Sequence, residues 1–84
     1  MERIYVLMDV DRAKIADVFK TLSGIPGVSR VDAVTGEHDL VVTAEGDDLP
    51  KLLGGVIKSL RGVEGVKATE TLVVISAASQ VGKD

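Results

Sequence analysis

The chain has no cysteine and no tryptophan, and only one tyrosine, one phenylalanine and one histidine among its 84 residues. Without cysteine, a disulfide framework and a thiolate metal site are both excluded. With Tyr5 and Phe19 as the only aromatics, platforms for stacking bases are missing. The ten Lys and Arg are scattered among 13 Asp and Glu, giving a net charge of −3 without a basic stripe; direct nucleic-acid binding is not expected. Long hydrophobic runs are absent as well. The segment from Leu72 to Ile75 falls far short of the roughly 20 apolar residues that a membrane-crossing helix needs. Met1-Glu2-Arg3-Ile4-Tyr5 enters apolar alternation at once, without the basic segment, apolar core and cleavage site of a signal peptide. The expectation is a soluble cytoplasmic protein with no membrane contact. A chain this short has room for one domain with a modest core, and association with copies of itself is the staple left to it.

What is present is strong patterning. Ile4 to Val10 is apolar on both alternating sets and reads as a strand covered on both faces. Asp11 offers an N-cap to a helix whose Ile15, Val18, Phe19 and Leu22 fall on one stripe, stopped at Gly24 with Pro26-Gly27 behind it. Val28 to Val34 and Asp39 to Ala44 read as two strands joined by the turn Thr35 to His38. Asp47-Asp48-Leu49-Pro50 opens a second helix, with Leu52, Leu53, Val56, Ile57 and Leu60 as its stripe and Gly62 at its end. Val66 to Ser76 is a last strand, and residues 77 to 84 read as a frayed or disordered polar tail.

Two segments repeat one logic. A helix is followed by Gly24-Ile25-Pro26-Gly27-Val28 or by Gly62-Val63-Glu64-Gly65-Val66, and then by a strand. The order βαββαβ with right-handed crossovers predicts an α+β, ferredoxin-like domain over residues 1 to 76: a four-stranded antiparallel sheet with both helices on one face. The other face lacks a cover. Tyr5, Leu7 and Val10 alternate with Ile4, Val6 and Met8, and Val73 and Ile75 alternate with Leu72 and Val74, so both faces are expected to be apolar. A sheet-to-sheet homodimer would hide the second one, at about 25 cal/mol per Å² before association costs.

Few residues offer chemistry. Gly36-Glu37-His38-Asp39 brings acid, imidazole and a permissive glycine to the hairpin tip. Gly36 would let a ligand approach the backbone closely, and Glu37 or Asp39 would receive an ammonium group. Ordinary turn chemistry explains the same residue types. His38 has no second His or Cys to share a metal with and reads as a solvated turn residue. No Ser or Thr stands in a nucleophile setting, and no glycine pattern matches a phosphate loop. Thr69 and Thr71 lie two apart on one face of the last strand, either as β-formers or as a hydroxyl pair lining a cleft. Gly54-Gly55 inside the second helix costs on the order of 1 kcal/mol per glycine relative to alanine. Close packing of another backbone would account for the pair, and so would simple tolerance.

The stretches Val31-Asp32-Ala33-Val34-Thr35-Gly36-Glu37-His38-Asp39-Leu40-Val41-Val42 and Gly62-Val63-Glu64-Gly65-Val66-Lys67-Ala68-Thr69-Glu70-Thr71 together resemble the ligand-sensing, or RAM, domain of the Lrp/AsnC family. The resemblance covers about residues 4 to 76. It implies a dimer formed through the sheets, often closed as four dimers into an octameric ring, with amino acids or related metabolites bound between dimers. It places Gly36, Asp39, Thr69 and Thr71 in the effector cleft. Family regulators carry an N-terminal helix-turn-helix, whereas this sequence begins at the first strand. A stand-alone sensor, acting through a full-length relative or another partner, is the corresponding expectation.

Three functions therefore stand side by side. The leading one is a non-enzymatic sensing and oligomerisation module without a cofactor, regulating transcription or metabolism indirectly. The others are a small dimeric enzyme of the monooxygenase or isomerase type, and a purely structural subunit. Strand interiors of Val, Leu, Ile and Ala argue against the enzyme, which needs inward-pointing polar groups.

Overall fold

The computed structural model describes residues 1–75. Strand β1 (Glu2–Val10) is followed by a 3-10 turn (Arg12–Lys14) and helix α1 (Ile15–Ser23). Strands β2 (Val28–Ala33) and β3 (Leu40–Gly46) form the central hairpin. A second helical arm comprises α2 (Leu49–Lys51), a π-helical segment (Leu52–Val56) and α3 (Ile57–Arg61), and leads to β4 (Val66–Val73). The sheet runs β2-β3-β1-β4, with all neighbours antiparallel. This is the ferredoxin-like α+β plan. The last strand stops short of the expected Ser76: its ladder continues only through Val74, whose N–H donates to the Arg3 carbonyl at 3.0 Å. Ser76 and the tail from 77 to 84 lie outside the described residues.

Local chemistry places each element. The Asp11 carboxylate accepts from the Ala13 N–H at 3.0 Å, and Asp48 accepts from Lys51 N–H at 3.2 Å, so both helical arms open on a carboxylate cap. Each arm closes on a Gly-x-x-Gly turn. Gly24 and Gly62 remain right-handed, while Gly27 and Gly65 take φ of +95° and +100°. The two turns are cross-braced. A Cβ at Gly27 would lie 2.9 Å from a Val56 methyl, and one at Gly65 would lie 2.8 Å from a Val18 methyl, so each turn packs under the other arm's valine.

The core is a layer between sheet and helices. Ile4, Val6, Met8 and Val10 from β1 and Leu40, Val42 and Ala44 from β3 meet Val18, Leu22, Leu52 and Leu60 from the helices, all buried. Two residues of the expected stripes fall outside it: Phe19 is 39% exposed and Leu53 40% exposed. The second arm is not one regular α-helix, because the Gly54-Gly55 pair sits inside the π turn. The wider turn keeps Leu52, Val56 and Leu60, spaced by four, on the core side, where a 3.6-residue period would let them drift. Among the described residues, nothing lies within 4 Å of a Cβ built at Gly54 or Gly55, so none of their backbone packs on the pair.

The uncovered face is less apolar than the alternation promised. Register puts Arg3, Tyr5, Leu7 and Asp9 of β1 on it, with Arg30 and Asp32 of β2, Val41, Thr43 and Glu45 of β3, and Ala68, Glu70 and Leu72 of β4. Its apolar part is a central patch of Tyr5, Leu7, Val41 and Leu72, extended by Val74 opposite Arg3 and by Ala68 opposite Asp9. An Arg3–Glu45 pair at 3.0 Å and an Arg30–Asp32 pair at 2.8 Å lie at its margin.

Candidate functional site

The hairpin tip is closed by Val34 N–H donating to the Asp39 carbonyl at 2.9 Å. Gly36 has φ of +107° and open space on its Cβ side, so its backbone is approachable. Glu37 is exposed beside it. Asp39 is built into the sheet. Its backbone N–H donates to the Met8 carbonyl at 2.9 Å, and its Oδ2 accepts from the Val10 N–H at 2.9 Å. That Val10 N–H faces β3 beyond the end of the β1–β3 ladder at Met8 and Leu40, and the aspartate side chain takes the place of a ladder partner. Among the described residues, Asp39 Oδ1 takes no part in that bond.

His38 is not the solvated turn residue expected from its neighbours. The imidazole is largely covered, with Nδ1 at 3.1 Å from Asp9 Oδ1 and Nε2 at 3.9 Å from Glu70 Oε1. Its partners come from two other strands, so only the register brings them together. The Asp9–His38 contact and the Asp39–Val10 bond both depend on pairings 29 residues apart, which local spacing does not reveal.

Thr69 and Thr71 share a face, as period-two alternation requires. They stand opposite Met8 and Val6 and therefore on the helix side of β4, an outer strand of the sheet. Thr69 lines a groove of about 360 Å³ with Arg61, Val66, Lys67 and Ala68. Strand β1 separates these threonines from the hairpin, so Asp39 and Thr69 are about two strand spacings apart, roughly 10 Å. Within one protomer, Gly36, Glu37 and Asp39 form one cluster and Thr69 and Thr71 another. Among the described residues, no group of three or more His, Asp or Glu is arranged to hold a metal ion, and no helix is long and apolar enough to cross a membrane.

Comparison with known proteins identifies the domain. Residues 3–82 match the family model of the Lrp/AsnC ligand binding domain. An HTH-type transcriptional regulator of Pyrococcus horikoshii is 29% identical over 72 residues, which cover 86% of this chain and 46% of the regulator. The chain thus spans about half the length of the curated regulators it matches. The homocitrate synthase of Sulfurisphaera tokodaii is 40% identical over 58 residues, 69% of this chain but 12% of that enzyme. Among solved structures, TTHA0845 of Thermus thermophilus superposes with a TM-score of 0.81 at 29% identity, covering 89% of this chain and 94% of that one. The transcriptional regulator NMB0573 of Neisseria meningitidis shares the fold at 20% identity, with a TM-score of 0.70 over 88% of this chain and 49% of its own. With the family model covering nearly the whole chain and the sheet order matching its fold, this protein belongs to the Lrp/AsnC ligand-binding-domain family.

Proposed function

We propose that the chain is a non-enzymatic cytoplasmic module that binds an amino acid or related metabolite between copies of itself and passes its occupancy on to a regulatory partner. One observation carries this reading. The motif residues fall into two clusters on either side of β1, so a cleft that uses Gly36 and Asp39 together with Thr69 and Thr71 is incomplete in one protomer. A second copy completes it.

Several findings support the same reading. The patch of Tyr5, Leu7, Val41 and Leu72 fits a sheet-to-sheet homodimer, and grooves between dimers, as in a tetramer of dimers, would then join the two clusters. The eleven buried side chains among the described residues are all aliphatic or methionine, which favours binding over acid–base chemistry. One relative is named as a helix-turn-helix regulator and another as a homocitrate synthase. A domain shared by a DNA-binding protein and an enzyme suits a role in relaying a signal. The Neisseria regulator was solved as a complex with L-Met, which supports an amino acid as the ligand class. A full-length Lrp/AsnC-type regulator is the natural partner. A ligand bridging subunits shifts assembly by its differential affinity for the assembled state.

Calorimetry and thermal shift with each proteinogenic amino acid, run beside sedimentation velocity, test the proposal. One or a few amino acids should raise the melting temperature and the sedimentation coefficient together. At a hundredfold excess over Kd the stabilisation is about 2.7 kcal/mol. Failure of every amino acid to bind a folded oligomer would remove the sensing function.

A further inference from the structure

Charge is distributed unevenly among the grooves of the protomer. The groove between the helical arms, about 680 Å³, mixes Lys14 and Lys58 with Asp17 and Glu64. The one beside β3 and α2 sets Lys51 against Asp47 and Asp48, and the one on the open sheet face sets Arg3 and Arg30 against Asp32 and Glu45. A small groove along β2 contains Arg30, which is held by both Asp32 oxygens at 2.8 and 3.0 Å. The groove at the outer edge of β4 differs from all of these. Arg61 and Lys67 line it with Val66, Ala68 and Thr69, and among the described residues no carboxylate lines it. Among the described residues the Lys and Arg side chains in ion pairs are Arg3 with Glu45, Lys14 with Glu64 and Arg30 with Asp32, so neither Arg61 nor Lys67 has an acidic partner there.

Two like charges gathered in one concavity of a chain with net charge −3 repel each other unless an anion joins them. The fold enforces the arrangement. Arg61 ends α3, the Gly62 to Gly65 turn returns the chain, and the bulge opposite Asp9 and Val10 makes Lys67 the extra residue of β4. Val66 can then pack against the core while Lys67 stays on the side of Thr69. Among the described residues, no strand pairs with the outward edge of β4, whose backbone groups stand beside the Thr69 hydroxyl.

We propose that Arg61, Lys67 and Thr69 form a receptor for a small carboxylate, with the planar guanidinium as its main donor. Resting on the sensing role above, this carboxylate is the α-carboxylate of the effector, and the hairpin of a neighbouring copy meets its ammonium end. The ligand is then oriented by charge: its anionic end lies at β4 and its cationic end at Asp39.

The test uses the full chain, labelled with nitrogen-15 and titrated with propionate, with propionamide as the uncharged control and inorganic phosphate as the competing anion. Propionate should shift the amide signals of Arg61, Lys67 and Thr69 saturably, and propionamide should not. Arg61→Gln and Lys67→Gln should each weaken that response by on the order of tenfold with spectral dispersion retained. Any amino acid found to bind should lose a similar factor when replaced by its α-carboxamide. Absence of shifts with propionate, or tighter binding of phosphate at the same residues, overturns the carboxylate receptor. Amino-acid affinity unchanged in both variants also overturns it and leaves the sensing role standing. Saturable propionate binding in a chain that binds no amino acid upholds the receptor and removes the sensing role.

Discussion

At the residue scale, substitutions separate the structural bond that Asp39 makes to Val10 from the ammonium-binding role proposed for it. Asp39→Ala removes the acceptor of the part-buried Val10 N–H and should destabilise the fold by about 1–3 kcal/mol in urea denaturation. Asp39→Asn retains an oxygen for that N–H while losing the charge. It should keep most of the stability yet lose amino-acid affinity. Equal affinity in wild type and Asp39→Asn would show that Asp39 does not receive an ammonium group. The exposed Lys14–Glu64 pair shows how charge enters stability. Its hydrogen bond and charge hold the Glu64 carboxyl below the usual carboxylate range and raise Lys14. Because Glu64 is depressed in the folded state, its contribution is present above the ordinary carboxylate range and is lost as pH falls through the depressed value. Both side chains are solvated, so the effect is small and screened by salt. A Glu64→Gln variant should show a slightly shallower loss of melting temperature on acidification at low salt, and the difference should vanish in high salt.

The Gly-x-x-Gly turns govern the element scale. Gly27→Ala and Gly65→Ala combine a positive φ with a Cβ inside 3.0 Å of a valine methyl, so each should cost more than about 2 kcal/mol by chemical denaturation. Gly36→Ala has the φ penalty without the clash and should cost about 1 kcal/mol. Gly54 and Gly55 should behave in the opposite way. Their Cβ positions are open, so Gly54→Ala and Gly55→Ala should each stabilise the isolated protomer by about 0.5–1 kcal/mol. If either variant instead loses assembly in sedimentation while remaining folded, the exposed glycine pair serves contact between copies.

For the whole molecule, the proposed sheet-to-sheet homodimer is tested at the open sheet face. Leu72, 42% exposed, stands opposite Tyr5 within the small apolar patch. Leu72→Glu would set a desolvated carboxylate into a sheet-to-sheet contact and should convert a micromolar dimer to monomer without changing the far-ultraviolet dichroism. A wild-type chain that sediments as a folded monomer at low micromolar concentration would refute the dimer itself.

The residues alone determined the element order, the repeated Gly-x-x-Gly turns, the carboxylate caps and the helix-side core, because period, caps and φ-permissive glycines act over a few neighbouring positions. The family resemblance was legible in two short motifs for the same reason. Tertiary structure decided what depends on pairing across the sheet. It placed His38 against Asp9, committed one oxygen of Asp39 to the Val10 N–H at the end of the β1–β3 ladder, turned Thr69 and Thr71 to the helix side and interrupted the open face's apolar area with paired charges. It also decided which cations gather together, since Arg61 and Lys67 share a groove only after the last helix folds back along β4. Contacts between residues far apart in the chain follow from strand order and register, and neither is written in any single stretch of sequence.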